Sequence, residues 1–384
     1  MFLDTLQFFR NNWLSWRLLG IVLPKGEQNH KLIKYLLWST IVNVVATFLF
    51  PLHLLLGIFQ EQPQSTRFES VAICVTSIAT SLKFIIYARK LQHVKQMGKL
   101  FQRLDARISN DNERQFYQKH IRRNVIRIQT MFIVVYISVG ITVTVAFIFS
   151  QERRLFYPGW LPFDWHRSIK YYMAALGFQL ISIFFQILQN FANDCFTPKA
   201  LCLLSGHIEL LYMRVANIGY VNRVAYQQNR NLRELNECVL DQKHLYQLFD
   251  VIQSIISWPM FLQFLASTVN MCMAMVTLLF FVTDILERIY YVMYFAAMCL
   301  QIFPTCYYGS DFEIKFERLH YAVFSSNWTE GTQCFKRHMM LFTERALRET
   351  RAMAGGVFRI HLDTFFATIK GAYSLFAVVI TMKN

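Results

Sequence analysis

The sequence predicts an all-α membrane protein with seven transmembrane helices, a cytosolic N-terminus and an extracellular C-terminus. It also predicts a cytosolic helical anchor domain formed by extensions of helices 4–7. The first observation is composition: 54% of the 384 residues are hydrophobic and 16% are aromatic, more than a soluble domain usually carries. The second is a series of apolar stretches long enough to cross a bilayer. The third is charge: the segments assigned to the cytosol carry 29 Lys and Arg, against 7 in those assigned outside, which sets the orientation.

The N-terminal segment, residues 1–34, is predicted to be cytosolic and amphipathic. Between Phe8 and Leu23, two tryptophans and several aliphatic residues alternate with Arg and Asn. This pattern is typical of a helix that lies at the membrane interface. Because a basic n-region and a small-residue cleavage site are both missing from its start, no secretory signal is predicted.

Transmembrane helices 1–4 are assigned to residues 35–194. The first, Tyr35–Gln60, contains no formal charge and is a clear span. The second, Ser70–Tyr87, is interrupted by Lys83, which is expected to snorkel to a nearby interface. Ile128–Gln151 and Lys170–Asp194 are strongly apolar and provide the third and fourth spans.

Two cytosolic stretches keep helical spacing and are predicted to be helices rather than loops. Apolar residues between Leu232 and Ile252 recur at three- and four-residue intervals, so the fifth helix is expected to run from about Asn231 to Val282. Ala200–Val215 is expected to continue the fourth helix inward. The remaining predicted segments are cytosolic extensions at 195–249, transmembrane helices 5 and 6 at 250–310, a cytosolic helical segment at 311–355 and a pore-lining helix 7 at 356–384.

The last stretch suggests a pore. Gly355 and Gly356 are helix-poor and are interpreted as a hinge. From Val357 to Met382 the pattern is helical and apolar, and its length of about 39 Å is enough to cross a bilayer. One face stacks residues at four-residue spacing, with small and polar side chains at one end and bulky apolar ones at the other: Thr368, Ala372, Phe376 and Ile380.

Several copies of this helix around an axis would form a wettable vestibule closed by a hydrophobic constriction. The alternative is an ordinary packing stripe inside a helical bundle. Lys370 lies on the same helix, and a charge within a span is expected to face protein or water rather than lipid.

Other functional classes fit less well. A net charge of +15 would suggest a nucleic-acid partner in a soluble protein, but no basic cluster is interleaved with a base-reading motif. The histidines and cysteines form no metal-ligand spacing in any span, so no enzyme, metal or cofactor is predicted. A G-protein-coupled receptor would have the opposite orientation. A seven-helix transporter, which would show repeat symmetry and a broken helix, is the most distant alternative.

Four segments occur in an order that points to a family: Tyr157–Trp165, which contains Pro-Phe-Asp-Trp, Cys306–Ser310, Ala354–Phe358 and Thr368–Leu375. With these segments and the long fifth helix, the chain resembles insect odorant receptors over nearly its whole length. In the related gustatory receptors the last helix usually carries Thr-Tyr and Gln-Phe. Here Ala372-Tyr373 is not followed by Gln-Phe, which favours the odorant branch, and a gustatory-type receptor remains an alternative.

The resemblance implies a subunit of a heterotetrameric, ligand-gated, non-selective cation channel in the plasma membrane of olfactory sensory neurons. In that family a ligand-tuning subunit assembles with a shared co-receptor, whose second cytosolic loop is much longer. The loop of this chain, about Val215 to Asn231, leaves no room for that insertion, so the chain is similar to a tuning subunit. Its expected partners are the co-receptor, a small volatile organic ligand and membrane lipid.

The resemblance also implies that Phe376 and Ile380 form the hydrophobic gate. Phe is bulkier than the aliphatic residue usual in the family, and four copies of Lys370 near a cation path would repel permeating ions. Both features favour a mixed tetramer over a self-sufficient homotetramer. The argument from Lys370 lapses if this side chain faces a neighbouring helix.

The odorant pocket of the family lies in the outer half of the subunit, between helices two, three, four and six. Apolar walls with a few hydroxyl groups suit a small volatile molecule, because burial supplies affinity and a polar group sets orientation. Ordinary bundle packing is the alternative for each single residue. The expected ligand-binding residues are Ile78, Gly140, Thr144, Tyr172, Leu176, Tyr291 and Tyr294.

Overall fold

The computed structural model describes residues 4–23, 29–61, 63–148, 155–220, 226–282 and 285–383. Within these ranges seven helical stretches are long and apolar enough to cross a membrane, which confirms the predicted all-α class with seven candidate spans. They are His30–Ile58, Thr66–Arg89, Asp111–Ile141, Ile169–Ala216, Asn229–Phe280, Glu287–Arg318 and Leu362–Thr381.

The helices follow one another along the chain, and a hairpin of two short strands precedes the last helix. The elements are α1 Arg10–Leu18, α2 Asn29–Val42, α3 Phe50–Ile58, α4 Gln64–Arg89, α5 Leu91–Asp105, α6 Asp111–Phe116, α7 Arg123–Ile148, α8 Ile169–Ala216, α9 Tyr226–Phe280, α10 Ile285–Arg318, α11 Tyr321–Ser325, α12 Gln333–Ala346, β1 Met353–Ala354, β2 Phe358–Arg359 and α13 Leu362–Lys383.

Two helices extend far beyond the thickness of a bilayer. The helix predicted from Asn231 to Val282 is α9, which has 55 residues and is therefore about 82 Å long. Helix α8 has 48 residues and continues through Pro198 without a break. Helix α9 is the centre of the bundle, since α4, α5, α8, α10, α12 and α13 all pack against it.

A network of ion pairs joins the ends of these helices on the predicted cytosolic side. Arg214 of α8 contacts Glu113 at 2.9 Å and Asp241 of α9 at 3.0 Å. Arg107, which follows α5, contacts Asp241 at 3.1 Å and Glu234 at 3.1 Å. The charged groups thus attach α8 and α9 to α6 and to the residues that follow α5.

One face of the N-terminal helix packs against the bundle. A short 3₁₀ turn, Thr5–Phe9, leads into α1, and Trp16 is only 1% exposed. The indole ring lies 5.6 Å from the ring of Phe196 and 5.7 Å from that of Tyr87. The Trp16 side of α1 is therefore covered by α8 and α4, whereas Leu14 and Leu18 are exposed. The placement of α1 at the membrane interface stays a prediction.

The first span contains a π-helical turn, Asn43–Leu49, directly before Pro51. Proline has no backbone N–H and its ring clashes with the carbonyl four residues earlier. A wider π turn accommodates such a break without ending the helix. The span therefore remains a continuous helical stretch.

The segment before the last helix differs from the prediction. Met353 and Ala354 pair with Arg359 and Phe358 in an antiparallel hairpin, and the turn contains Gly355 and Gly356 with φ of 61° and 73°. These are left-handed values that favour glycine. The glycines thus form a tight turn rather than a plain hinge, and α13 begins at Leu362 rather than at Val357.

Candidate functional site

Three tyrosines of α10, two of them predicted pocket residues, form an aromatic group. The ring of Tyr290 lies 5.1 Å from that of Tyr291 and 6.3 Å from that of Tyr294. Tyr294 is also hydrogen-bonded to Thr76 of α4. Tyr290, which was not predicted, thus contacts both members of the predicted pair.

Ile78 lies in a second group of aliphatic and aromatic side chains, here called the Ile78 cluster. It packs against a buried cluster of Phe50, Leu54 and Cys74, together with Phe178 of α8. The side chain of Tyr157, from the loop between α7 and α8, packs on the same cluster. This cluster therefore includes residues of α3, α4 and α8 and of the loop.

The loop that contains Tyr157 is tied to two spans by polar contacts. The Gln179 amide of α8 donates to the Tyr157 carbonyl at 2.7 Å and contacts His53 Nε2 at 2.9 Å. The other ring nitrogen of His53 lies 2.6 Å from the carbonyl oxygen of Trp160. Both ring nitrogens of His53 therefore have a polar partner.

Tyr157 also connects the Ile78 cluster with the three tyrosines of α10. Burial raises the pKa of Tyr157, and the nearby Glu69 carboxylate and Tyr294 hydroxyl raise this pKa further. The loop, α4 and α10 therefore meet at one place, which contains the predicted Tyr294 and the unpredicted Tyr157 and Glu69. The Tyr157–Trp165 segment could have indicated Tyr157 as a pocket residue, but it served only as evidence for the family resemblance.

The other predicted pocket residues lie on α7 and α8. Apart from the neighbouring backbone of α7, no atom of the described residues lies within 4 Å of the position that a Cβ at Gly140 would occupy, so this face of α7 borders open space. Thr144 is exposed, and its hydroxyl donates to the Gly140 carbonyl at 2.8 Å. The ring of Tyr172 lies 6.1 Å from that of Trp165, and Leu176 is half-buried. Whether these residues bind a ligand stays a prediction.

The predicted pore face of α13 lies against the protein in this conformation. Ala372 is fully buried, and Thr368 and Phe376 are each 7% exposed. Phe376 packs against Cys272 and Val276 of α9. Ile380 is half-buried beside the same cluster. Within a single subunit these residues thus form part of the contact between α13 and α9, and the gate assignment stays a prediction.

A different face of α13 is exposed, and it carries the charged residues. Asp363, Lys370, Ser374 and Thr381 all lie on this exposed side. Charged groups in a spanning helix are costly in contact with lipid, so they are expected to face protein or water. This face is available to a neighbouring subunit or to an aqueous path.

The prediction that the Lys83 side chain snorkels to an interface is wrong. Lys83 is 3% exposed, and its ammonium group lies 2.5 Å from the carboxylate of Asp194. It does not snorkel to an interface, because an acidic partner 111 positions away in the chain meets it inside the bundle. An ionisable residue within an apolar span was the signal for such a polar site.

Comparisons with known proteins agree with this architecture. A family model of the 7tm odorant receptors matches residues 65–373. Odorant receptor 59a of Drosophila melanogaster is 37% identical, with 99% of this chain and 98% of that receptor covered. Odorant receptor 23a of the same organism is 35% identical, with 97% and 96% covered.

Solved structures show the same fold. The insect olfactory receptor OR5 from Machilis hrabei superposes with a TM-score of 0.79 at 14% identity, with 98% of each chain covered. The same receptor in complex with eugenol superposes with a TM-score of 0.75 at 15% identity, with 98% of this chain and 97% of that chain covered.

The fold defines a seven-helix membrane protein. The chain belongs to the 7tm odorant receptor family, which confirms the resemblance found in the sequence. This is a family of receptors rather than of enzymes, and odorant detection is its function.

Proposed function

We propose that this chain is the odorant-binding subunit of a heteromeric, ligand-gated, non-selective cation channel in the plasma membrane of olfactory sensory neurons. The observation that carries the channel role is the exposed face of α13, which holds Asp363 and Lys370 in an otherwise apolar helix. Such a face requires water or a protein partner. A path between the last helices of several subunits would supply both.

The ligand site is proposed at the outer end of the bundle, where Tyr290, Tyr291 and Tyr294 lie near the Ile78 cluster. Aromatic and aliphatic walls bury a small volatile molecule, and a few hydroxyl groups orient it. The complex of the Machilis hrabei receptor with eugenol supports a ligand of this class. Gly140, Thr144, Tyr172 and Leu176 are proposed to complete the walls.

The partner is proposed to be the family's co-receptor. Helix α8 ends at Ala216 and α9 begins at Tyr226, so the second cytosolic connection is short, as in a tuning subunit. Four copies of Lys370 around one axis would repel cations, whereas a mixed tetramer reduces that charge. A cytosolic N-terminus and an anchor domain built from the inner parts of α8 to α12 complete the proposed arrangement.

Expression with and without the co-receptor tests this function. Whole-cell current is recorded in a non-insect cell under a broad odorant panel, with surface expression measured in parallel. Odorant-evoked inward cation current only when both chains are present supports the proposal. Current from this chain alone would instead identify a homotetrameric channel, and antibody access to a C-terminal tag on intact cells tests the orientation.

The pocket proposal predicts that Tyr294→Ala raises the half-maximal odorant concentration about tenfold or more. The aromatic ring and its hydroxyl contribute buried contact area, and the loss of such a side chain removes about 1.5–3 kcal/mol of transfer free energy. Dose–response curves of whole-cell current measure this change. Met293→Ala is the matched control, because Met293 is the preceding residue on α10 and is 64% exposed. Equal responses in both variants would place Tyr294 outside the ligand site.

The gate proposal predicts that Phe376→Ser raises the current without odorant. Phe376 packs on α9 in the conformation described, on a different face from Lys370, so the change weakens the contact that holds α13 in place and lets α13 move. Unliganded current, corrected for surface expression, is the measurement. Leu375→Ser is the control, since Leu375 is 43% exposed on the same helix. An unchanged unliganded current and ion permeability in Phe376→Ser would remove Phe376 from the gate.

A further inference from the structure

A closed ring of hydrogen bonds joins five different helices inside the bundle. Lys83 of α4 donates to Asp194 of α8 and to Gln263 of α9, each at 2.5 Å. Tyr136 of α7 donates to the other Asp194 oxygen at 2.6 Å. Gln301 of α10 donates to the Tyr136 hydroxyl at 2.9 Å and accepts from Gln263 at 3.3 Å, which closes the ring.

Most of the ring is buried and only Gln301 is half-buried, so its members depend on one another. Lys83, Asp194 and Gln263 are each less than 9% exposed, and an unpaired charge in this environment is strongly unfavourable. Removing one member leaves its neighbours without partners, and the cost then exceeds that of the single bond. A ring of this kind is expected to be intact or broken as a unit.

Its position connects the proposed pocket with the last helix. On α7 the ring residue Tyr136 lies one turn from Gly140, and on α10 Gln301 lies two turns from Tyr294. Gln263 lies on α9, the helix that packs along α13. The ring therefore joins walls of the pocket directly to the helix that supports the proposed pore.

The ring also borders a small cavity of about 10 Å³, room for roughly one water molecule. Asn193 lines this cavity and is 2% exposed. Both polar atoms of its side-chain amide have no hydrogen-bond partner among the described residues. A water here would satisfy Asn193 and offer the ring residues a substitute partner when a ring bond breaks.

We propose that the five-residue ring is a reversible latch that keeps the channel closed until a ligand is bound. The proposal rests on the proposed function. In the latched state α4, α7, α8 and α10 are held to α9, and α9 holds α13. A ligand that binds better when the ring is open shifts the population toward the open channel.

The test uses Tyr136→Phe, which removes one hydroxyl from the ring and keeps the aromatic ring. The variant is expressed with the co-receptor, and odorant dose–response and unliganded currents are recorded. We expect the half-maximal odorant concentration to fall about tenfold, which corresponds to about 1.4 kcal/mol, and the unliganded current to rise. Thr80→Val is the matched control: it removes a 2.7 Å bond to Asn190 between α4 and α8, outside the ring, and is expected to leave both quantities nearly unchanged.

Several outcomes would overturn the latch. The first is a half-maximal odorant concentration that is unchanged or increased in Tyr136→Phe. The second is a shift of this concentration that is equal in Tyr136→Phe and Thr80→Val. If the wild-type chain reaches the surface but gives no current with any odorant, alone or with the co-receptor, the proposed function itself fails.

A second measurement tests the ring without any current. Tyr136 and Gln263 do not bond each other but both bond Gln301. The melting temperature of the detergent-solubilised protein is therefore measured for Tyr136→Phe, Gln263→Leu and the double variant. We expect the double variant to lose clearly less than the sum of the single losses, and additive losses would show that the ring does not act as a unit.

Discussion

Lys83→Met is expected to remove most of the receptor from the cell surface. The change leaves the carboxylate of Asp194, which is 8% exposed, without its cationic partner at 2.5 Å. Breaking a buried ion pair from one side costs about 3–5 kcal/mol, a large part of a typical stability of about 5–15 kcal/mol. Surface biotinylation and the melting temperature of the solubilised protein measure the loss.

Two comparison variants show whether the cause is the unpaired charge. Lys95→Met, at an exposed position of α5, removes the same charge outside the bundle and is expected to leave surface expression unchanged. The double variant Lys83→Met/Asp194→Asn removes both charges and is expected to recover much of the expression, because no buried charge remains. Normal expression of Lys83→Met, or no recovery in the double variant, would contradict the pairing.

The spans were predictable because their information is local. A run such as Tyr35–Gln60 contains no charge, and its length alone identifies a membrane helix. The long fifth helix was predictable for the same reason, since the spacing of apolar residues continues beyond the bilayer. Neither prediction depends on which other helix packs against the span.

Partners were not predictable, because they depend on residues far apart in the chain. The periodicity of Thr368, Ala372 and Phe376 shows that they share one face of α13. It does not show that this face contacts α9 of the same subunit. The pairing of Lys83 with Asp194 was missed likewise, since the sequence gives the cost of a charge in a span but not the residue that compensates for it.

The hairpin before α13 was not predicted, because two adjacent glycines indicate that a helix is interrupted but not whether the chain there forms a hinge or a hairpin. The structure adds the contacts that fix the form: the N–H of Gly355 donates to the Ser257 carbonyl at 2.9 Å, and Arg359 Nε donates to Glu313 at 2.9 Å. The first of these attaches the turn to α9 and the second attaches β2 to α10. The start of the last helix is therefore held by two other helices rather than by a free hinge.

Gly309→Ala should disrupt this junction and abolish most odorant-evoked current. A Cβ at Gly309 of α10 would lie 2.1 Å from the carbonyl oxygen of Ile360. That oxygen belongs to the backbone between β2 and α13, so it cannot move aside like the end of a flexible side chain. Overpacking of this kind typically costs about 1–3 kcal/mol. The strain falls beside the bond from the Leu362 N–H to the Ser310 hydroxyl, 2.9 Å long, which fixes the first residue of α13.

Gly177→Ala separates this steric effect from the general effect of replacing a helical glycine. No atom lies within 4 Å of the Cβ position at Gly177 of α8, and alanine favours a helix over glycine by about 1 kcal/mol. We expect Gly177→Ala to keep or raise the melting temperature, and Gly309→Ala to lower it together with the current per surface receptor. If both variants had the same melting temperature and the same current per surface receptor, the close contact between α10 and the segment before α13 would contribute neither to stability nor to gating. If Gly309→Ala lowered the current alone at normal stability, the junction would transmit gating rather than support folding, because α13 would then be displaced without unfolding the bundle.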